Sequence, residues 1–382
     1  MHKPVYLDHN ATTPVDPAVL SEMMPYFSQQ FGNAASRTHA FGWIAADAVD
    51  KARSQAASLI GAEEQEIIFT SGATESINLA IKGVFESYSN KGKHLITVST
   101  EHHAILDTCL SLKKKGAEVT ILPVDREGRL DLSALEKAIR PDTILVCVMH
   151  ANNETGVIHP VEDIARIVHQ KGSLFFCDAT QAAGKIPVQV SDYPVAMLAW
   201  SAHKIYGPKG TGALYVRRKK PRVTLLAQME GGGHERGLRS GTLNVPGIVG
   251  FGKACEVAKE QLWEYGSAVS ALRTQLEQGL CDLGGVYVNG NIRDRLANTT
   301  NLSFQGIRAS ELIKALPTIA ISTGSACTSA IPEPSHVLKA MQADEAQAMG
   351  SVRFSLGKDN TKEEIEYTIE AVSKAVINLR ND

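Results

Sequence analysis

With 382 residues, 43% of them hydrophobic, the chain is long enough for more than one domain around a large core. A formal charge of -2 and a pI near 6.6 give no electrostatic reason to expect nucleic acid or an anionic membrane as partner. No apolar stretch is long enough to span a bilayer, and the start, Met1-His-Lys-Pro-Val-Tyr-Leu-Asp8, carries no apolar signal segment.

Between about residues 65 and 216, short β-rich runs alternate with amphipathic stretches. Strands are predicted at 66–70, 94–99, 118–122, 143–149, 173–177, 195–200 and 212–216, with helices at 74–83, 104–115, 132–139 and 160–171. This alternation predicts an α/β fold, a mostly parallel seven-stranded sheet with helices on both faces. A helical stretch over 247–280 leads to a different pattern, with strands at 285–288, 299–304, 319–322 and 351–355 and helices at 309–316, 335–341 and 362–379. The second pattern reads as a smaller α+β domain joined by the amino terminus. The expected division is 16–255 for the large domain and 1–15 with 256–382 for the small one. Six cysteines (109, 147, 177, 255, 281 and 327) form no CxxC pair and no zinc-like spacing. Five lie in apolar runs that predict buried, inert thiols, and a reducing cytoplasm is the expected location.

The chemistry-bearing residues gather at strand ends. Asp178 closes the run Ser173-Leu-Phe-Phe-Cys-Asp178, and Lys204 follows Val195-Ala-Met-Leu-Ala-Trp200. Parallel strands would set this carboxylate and this amine side by side at the sheet's carboxyl edge, where open α/β sheets bind ligands. An acid facing a pyridinium nitrogen and a lysine forming a Schiff base are the two groups that pyridoxal 5′-phosphate (PLP) requires.

Four other motifs follow the same rule. Ser71-Gly-Ala-Thr-Glu-Ser76 is a small-residue turn at a helix start, suited to a phosphate but equally to simple capping. Glu101-His102-His103 puts an imidazole after a strand, as a ring-stacking proton carrier or as a surface histidine. His150-Ala-Asn-Asn-Glu-Thr-Gly156 supplies amides or only turn residues. The glycine-rich run from Met229 to Thr242 lets backbone approach an anion or another chain, or is a flexible surface loop. Further on, Cys327 sits among small turn-forming residues that end in Pro332-Glu-Pro334, and Arg353 offers a fork suited to a carboxylate.

Taken together, the chain resembles the NifS/IscS-type cysteine desulfurases, PLP enzymes of fold type I with a class-V aminotransferase-like architecture. The likeness runs from Tyr6-Leu-Asp-His-Asn-Ala-Thr-Thr-Pro14 to Arg353-Phe-Ser-Leu-Gly357, and is most specific at Ser201-Ala-His-Lys-Ile-Tyr-Gly-Pro-Lys-Gly210 and Gly324-Ser-Ala-Cys-Thr-Ser-Ala330. The resemblance implies conversion of L-cysteine to L-alanine, with sulfur passing to Cys327 as a persulfide. It implies Lys204 as the Schiff-base lysine, Asp178 at the pyridine nitrogen, Gln181 and Asn153 on the phenolic-oxygen side, and His102 rather than His103 stacked on the ring. The phosphate is expected at Ala73, Thr74, Ser201 and His203, with Ala202 in the same turn and Thr242 from the second subunit of a homodimer. Arg353, with Asn153, is expected to bind the substrate. No resident metal is implied; at most Cys327 shares an iron–sulfur cluster in passing with a scaffold.

Three departures stand out. Ala202 replaces a glycine frequent in the IscS branch, and Phe31-Gly-Asn-Ala-Ala-Ser36 lacks a common proline. The chain stops about where its last helix ends, without the longer tail that helps IscS-like relatives dock an iron–sulfur scaffold. Competing readings are a selenocysteine lyase or another C–S lyase of the same fold, a sulfur relay with a vestigial site, and a nucleotide binder. The last lacks the Gly-Lys-Ser/Thr ending of a P-loop.

Overall fold

The computed structural model describes residues 4–323 and 334–381. A two-residue strand, β1 (Val5–Tyr6), comes first. Seven strands then form one sheet: β2 (Ile67–Thr70), β3 (His94–Val98), β4 (Glu118–Leu122), β5 (Thr143–Met149), β6 (Leu174–Asp178), β7 (Met197–Ser201) and β8 (Gly212–Val216). Their order is β2-β8-β7-β6-β5-β3-β4. The pairs β3–β4, β3–β5, β5–β6 and β6–β7 are parallel, whereas β8 runs antiparallel to both β7 and β2. The carboxyl ends of β2, β3, β5, β6 and β7 therefore share one edge. From β3 the chain steps outward to β4, then back to β5 and on to β6 and β7, and this reversal opens a crevice.

Nearly continuous apolar runs form these strands, except the exposed edge strand β4, because both sheet faces are covered. Ile67, Phe69, Ile96, Val98, Val146, Val148, Phe175, Cys177, Leu198 and Trp200 pack into a core on one face. Their alternates Ile68, Leu95, Leu145, Cys147, Phe176, Met197 and Ala199 pack into a core on the other. A helix absent from the sequence reading, Ala40–Ile60, lies against the helix Val245–Glu260. Their contact is close enough that a Cβ on Gly252 would stand 2.5 Å from the Ala52 Cα.

A third core joins β9 (Val286–Val288), β10 (Thr299–Phe304), β11 (Ile319–Ala320) and β12 (Ser351–Ser355) to the helices Leu262–Cys281 and Lys362–Asn381. β12, β10 and β9 make a three-stranded antiparallel sheet, and β1 pairs in parallel with β11. That pairing, with the bridge Asp8–Ser355, carries residues 8–12 across the carboxyl edge of the large sheet.

The helical stretch expected over 247–280 is found as two helices that change over at Gln261, and one expectation needs correction. The first buries Phe251, Ala254 and Cys255 in the core beneath the large sheet, while the second buries Val269, Leu276 and Leu280 in the third core. Cys281 is half-buried rather than buried; Cys109, Cys147, Cys177 and Cys255 are buried, and burial pushes the Cys255 thiol up to about 12. Among the described residues, no helix is long and apolar enough to cross a membrane.

Candidate active site

The strand ends open into one cavity of about 800 Å³, the size of a small-molecule pocket. Asp178, at the end of β6, stands in register with Met149 of β5 and Ala199 of β7. It is buried and lines the cavity, and its Oδ1 accepts the Thr180 N–H at 2.9 Å. After β7, one 3-10 turn (Ala202–Lys204) brings Lys204 to the same cavity. Its Nζ donates to the carbonyls of Asn10 (2.6 Å) and Ala11 (2.7 Å). Burial and the Arg353 guanidinium lower its pKa to about 8, against the opposing pull of Asp8 and Asp178.

The turn after β2 forms another wall. Gly72, the residue before the helix Ala73–Ser87, has φ of 150°. It lies so close to Gly212 that a Cβ there would stand 2.6 Å from the Gly72 Cα. Among the described residues, no side chain caps this helix. Glu75 instead accepts the Ser71 N–H at 2.8 Å and pairs with Arg239, while the Ser76 hydroxyl shares a hydrogen bond with Thr70. The helix start, with Ala73 and Thr74 on the cavity wall, thus keeps its positive end and its orphan N–H groups for an anion.

Ser201 and His203 line the cavity nearby. His203 Nδ1 hydrogen-bonds to the Thr12 hydroxyl at 3.1 Å, and burial together with Lys204, Lys209 and Lys185 pushes its pKa down to about 4. His102 is the residue before the helix His103–Lys113, and its Nδ1 accepts the Ala104 N–H at 3.0 Å. The proton of the neutral ring is thereby placed on Nε2. Burial lowers the pKa of His102, while Asp178 opposes that shift. His103 also lines the cavity but packs tilted against His336, with ring centroids 4.5 Å apart, and lies beside Asp107.

Arg353, in β12, reaches the same cavity from the small sheet. One terminal nitrogen binds Asp8 at 2.6 Å and the other donates to the Asn153 carbonyl at 3.0 Å. Asn153 and Gln181 line the cavity as well. Ala202 is buried and spends its N–H on the Thr211 carbonyl at 3.0 Å, and Thr242 is exposed; neither lines the cavity. Cys327 lies outside the described residues. Ser322 and His336, described residues on either side of its segment, both line the cavity. Ser322 bridges Arg353, and His336 Nε2 hydrogen-bonds to the Glu101 carbonyl at 3.0 Å.

Several neighbours were not singled out in the sequence. Asp8 and Asn10 sit within the Tyr6–Pro14 string, but only the β1–β11 pairing reveals that they touch Arg353 and Lys204. The glycine-rich loop is fastened rather than loose. Within it, Glu235 accepts two Arg53 hydrogen bonds at 2.8 Å and the Phe69 N–H at 2.7 Å, all buried. Arg239 of the loop holds Glu75 at the helix start.

A mostly parallel α/β sheet with an acid and an amine at adjacent strand ends is the architecture of a class-V aminotransferase, and the Aminotransferase class-V family model matches residues 5–368. The chain is 54% identical over 381 residues to cysteine desulfurase IscS of Anaeromyxobacter sp. (strain Fw109-5), covering 100% of this chain and 94% of that protein. A solved structure named NifS-like protein superposes with TM-score 0.92 at 41% identity, covering 98% and 100% of the two chains. Another, titled "SspA in complex with cysteine", gives TM-score 0.83 at 38% identity, covering 94% and 100%. The chain belongs to the class-V aminotransferase family and, within it, to the cysteine desulfurases.

Proposed function

We propose that the cavity holds pyridoxal 5′-phosphate and that the enzyme moves sulfur from L-cysteine to Cys327 as a persulfide, leaving L-alanine. The observation that carries this reading is the placement of the Asp178 carboxylate and the Lys204 amine in one cavity with the open start of helix Ala73–Ser87. The residues fit the group: a helix start, Ser201 and His203 for the phosphate, Lys204 for the aldehyde, Asp178 for the ring nitrogen, and Gln181 and Asn153 for the phenolic-oxygen side. Bound there, PLP supplies a sink for the electrons left when the substrate Cα loses its proton.

The chain's own groups do the rest. Asp178 holds a proton at the ring nitrogen, and His102 covers the ring face. Arg353 binds the cysteine carboxylate; two of its N–H groups are used by Asp8 and Asn153, which fixes the plane of the fork. Lys204, its amine easily deprotonated, takes the Cα proton and returns it to carbon. The Cys327 thiolate attacks the substrate sulfur: an S–S bond forms, the Cβ–S bond breaks, and the carbon fragment takes up a proton to become alanine. The cavity-lining positions of Ser322 and His336 support Cys327 in this role. The reading includes a homodimer in which the partner's Thr242 meets the phosphate, a cytoplasmic location, and delivery of sulfur to an iron–sulfur scaffold or another acceptor protein.

The direct test supplies cysteine to wild type and Cys327→Ser and measures alanine, pyruvate, sulfide and protein-bound persulfide. Wild type is expected to form alanine and persulfide, and the variant to lose both while keeping its yellow colour. Pyruvate in place of alanine from wild type, or undiminished alanine from the variant, removes Cys327 from the reaction. Arg353→Lys keeps the charge but not the fork, so KM for cysteine is expected to rise about tenfold or more, with a smaller change in kcat. Steady-state kinetics that show an unchanged KM take Arg353 out of substrate binding.

A further inference from the structure

Lys185 plays no part in the roles above, yet its amine lies buried directly behind Gln181. Nζ donates to Gln181 Oε1 at 2.6 Å and to Asn10 Oδ1 at 3.0 Å. Among the described residues, no carboxylate pairs with it. The charged or titratable groups around it are Lys204, Arg353, His9 and His203. Burial, with the charges of Lys204 and Arg353, pushes its pKa well below the usual lysine range.

Two main-chain carbonyls set the direction of every bond in this chain of amides. Asn298 Nδ2 donates to the Leu356 carbonyl and also to Asn10 Oδ1, both at 3.1 Å. Asn10 Oδ1 is therefore an acceptor and Lys185 its donor. The Asn10 main-chain carbonyl accepts Gln181 Nε2 at 2.9 Å and Lys204 Nζ at 2.6 Å. The Gln181 nitrogen is thus on the Asn10 side and its oxygen faces Lys185. A half-turn of the amide would press Oε1 against a carbonyl oxygen. One Nε2 hydrogen is used by Asn10, and the other remains on a residue that lines the cavity.

We infer that Lys185 is a positioning residue that locks the Gln181 amide so that the cavity is offered an N–H rather than a C=O. Gln181 then prefers an electron-rich oxygen on the bound ring. This inference rests on the reading of the cavity as a PLP site. The donated bond draws charge from the ring oxygen beside the Lys204 linkage. Without it, the linkage nitrogen holds its proton more tightly.

The test uses PLP-loaded wild type, Lys185→Met and Lys185→Gln without cysteine, titrated by visible absorbance and followed for cofactor loss in dialysis. Lys185→Met is expected to shift the colour-change midpoint upward by about one pH unit and to release PLP about tenfold more readily. Lys185→Gln, which keeps a donor, is expected to stay near wild type. A midpoint unmoved in Lys185→Met overturns the inference, as does Lys185→Gln behaving like Lys185→Met. Should Lys185→Met not fold, Lys185→Leu takes its place with the same outcomes. Colourless wild type overturns the reading of the cavity and the inference with it; coloured wild type with an unmoved variant overturns the inference alone.

Discussion

Lys204→Ala is expected to fold, to lose covalent attachment of PLP, and to form alanine at least ~10²–10⁴-fold more slowly, the range one positioned acid–base group contributes. The fold should tolerate the change because, among the described residues, the Lys204 amine binds only the carbonyls of Asn10 and Ala11 at a half-buried position. Borohydride reduction followed by peptide mapping checks it. Wild type should carry the reduced label on the peptide holding Lys204, and the variant should carry none. Label transferred to Lys209, which also lines the cavity, with activity retained, would sink the assignment.

The same amine sets a pH dependence. Cofactor-free protein is expected to attach added PLP faster as pH rises, levelling off above about 8, because only the unprotonated amine reacts. The sign for stability follows from the two states. An unfolded chain keeps this lysine protonated up to about 10.5, whereas the folded site releases the proton near 8. Between those values the unfolded state binds more protons, so raising the pH favours the folded form, and below about 8 the cost of the buried charge is fully present. A linkage rate that instead climbs through pH 10 would mean that Lys204 is not depressed.

Glu235→Ala is expected to be the most damaging single change away from the cavity. It strands the Arg53 guanidinium, whose side chain is 9% exposed, and removes the acceptor of the buried Phe69 N–H. Breaking one side of a buried pair costs about 3–5 kcal/mol, because an uncompensated charge remains. Arg53 also lies 4.6 Å from the centroid of the Phe69 ring and donates to the Ile67 carbonyl, so the damage falls on β2. That strand ends at the helix start proposed for the phosphate, and PLP retention is expected to fall with stability. Urea unfolding of the cofactor-free protein measures it, with Lys51→Ala as the control. Lys51 pairs with Glu22 in the open, at 63% and 39% exposure, where solvent screens the interaction. Equal midpoints for Glu235→Ala and wild type would show that the buried pair is not what holds the loop.

Much of the large sheet was legible because its central strands, covered on both faces, are nearly continuous apolar runs bounded by polar and turn-forming residues. The strands found at 118–122, 143–149 and 212–216 have the expected bounds, and Asp178 and Lys204 stand at adjacent strand ends. What the runs conceal is which side each residue faces. Phe175 and Phe176 are equally apolar and lie in different cores. The helix Ala40–Ile60 was missed because alanine makes up much of its buried face, so burial rather than amphipathic contrast defines it. The choice between His102 and His103 was likewise open to inspection of the residues alone. The Ala104 N–H binds His102 Nδ1, whereas His103 lies against His336.

By itself the sequence determined the α/β alternation and the residue types at the strand ends, because period, length and local turn chemistry are short-range properties. Tertiary structure alone decided which distant groups meet there. Asn10 reaches Lys204 through a strand pairing with residues 319–320, and Asp8 meets Arg353 across the small sheet. Lys185 and Gln181 share one turn of sequence, but the direction of their hydrogen bonds depends on the Asn10 main-chain carbonyl and on Asn298 and Leu356, all distant along the chain. Such contacts leave no periodic trace, since their energy arises only once burial has removed the water that would otherwise satisfy each group.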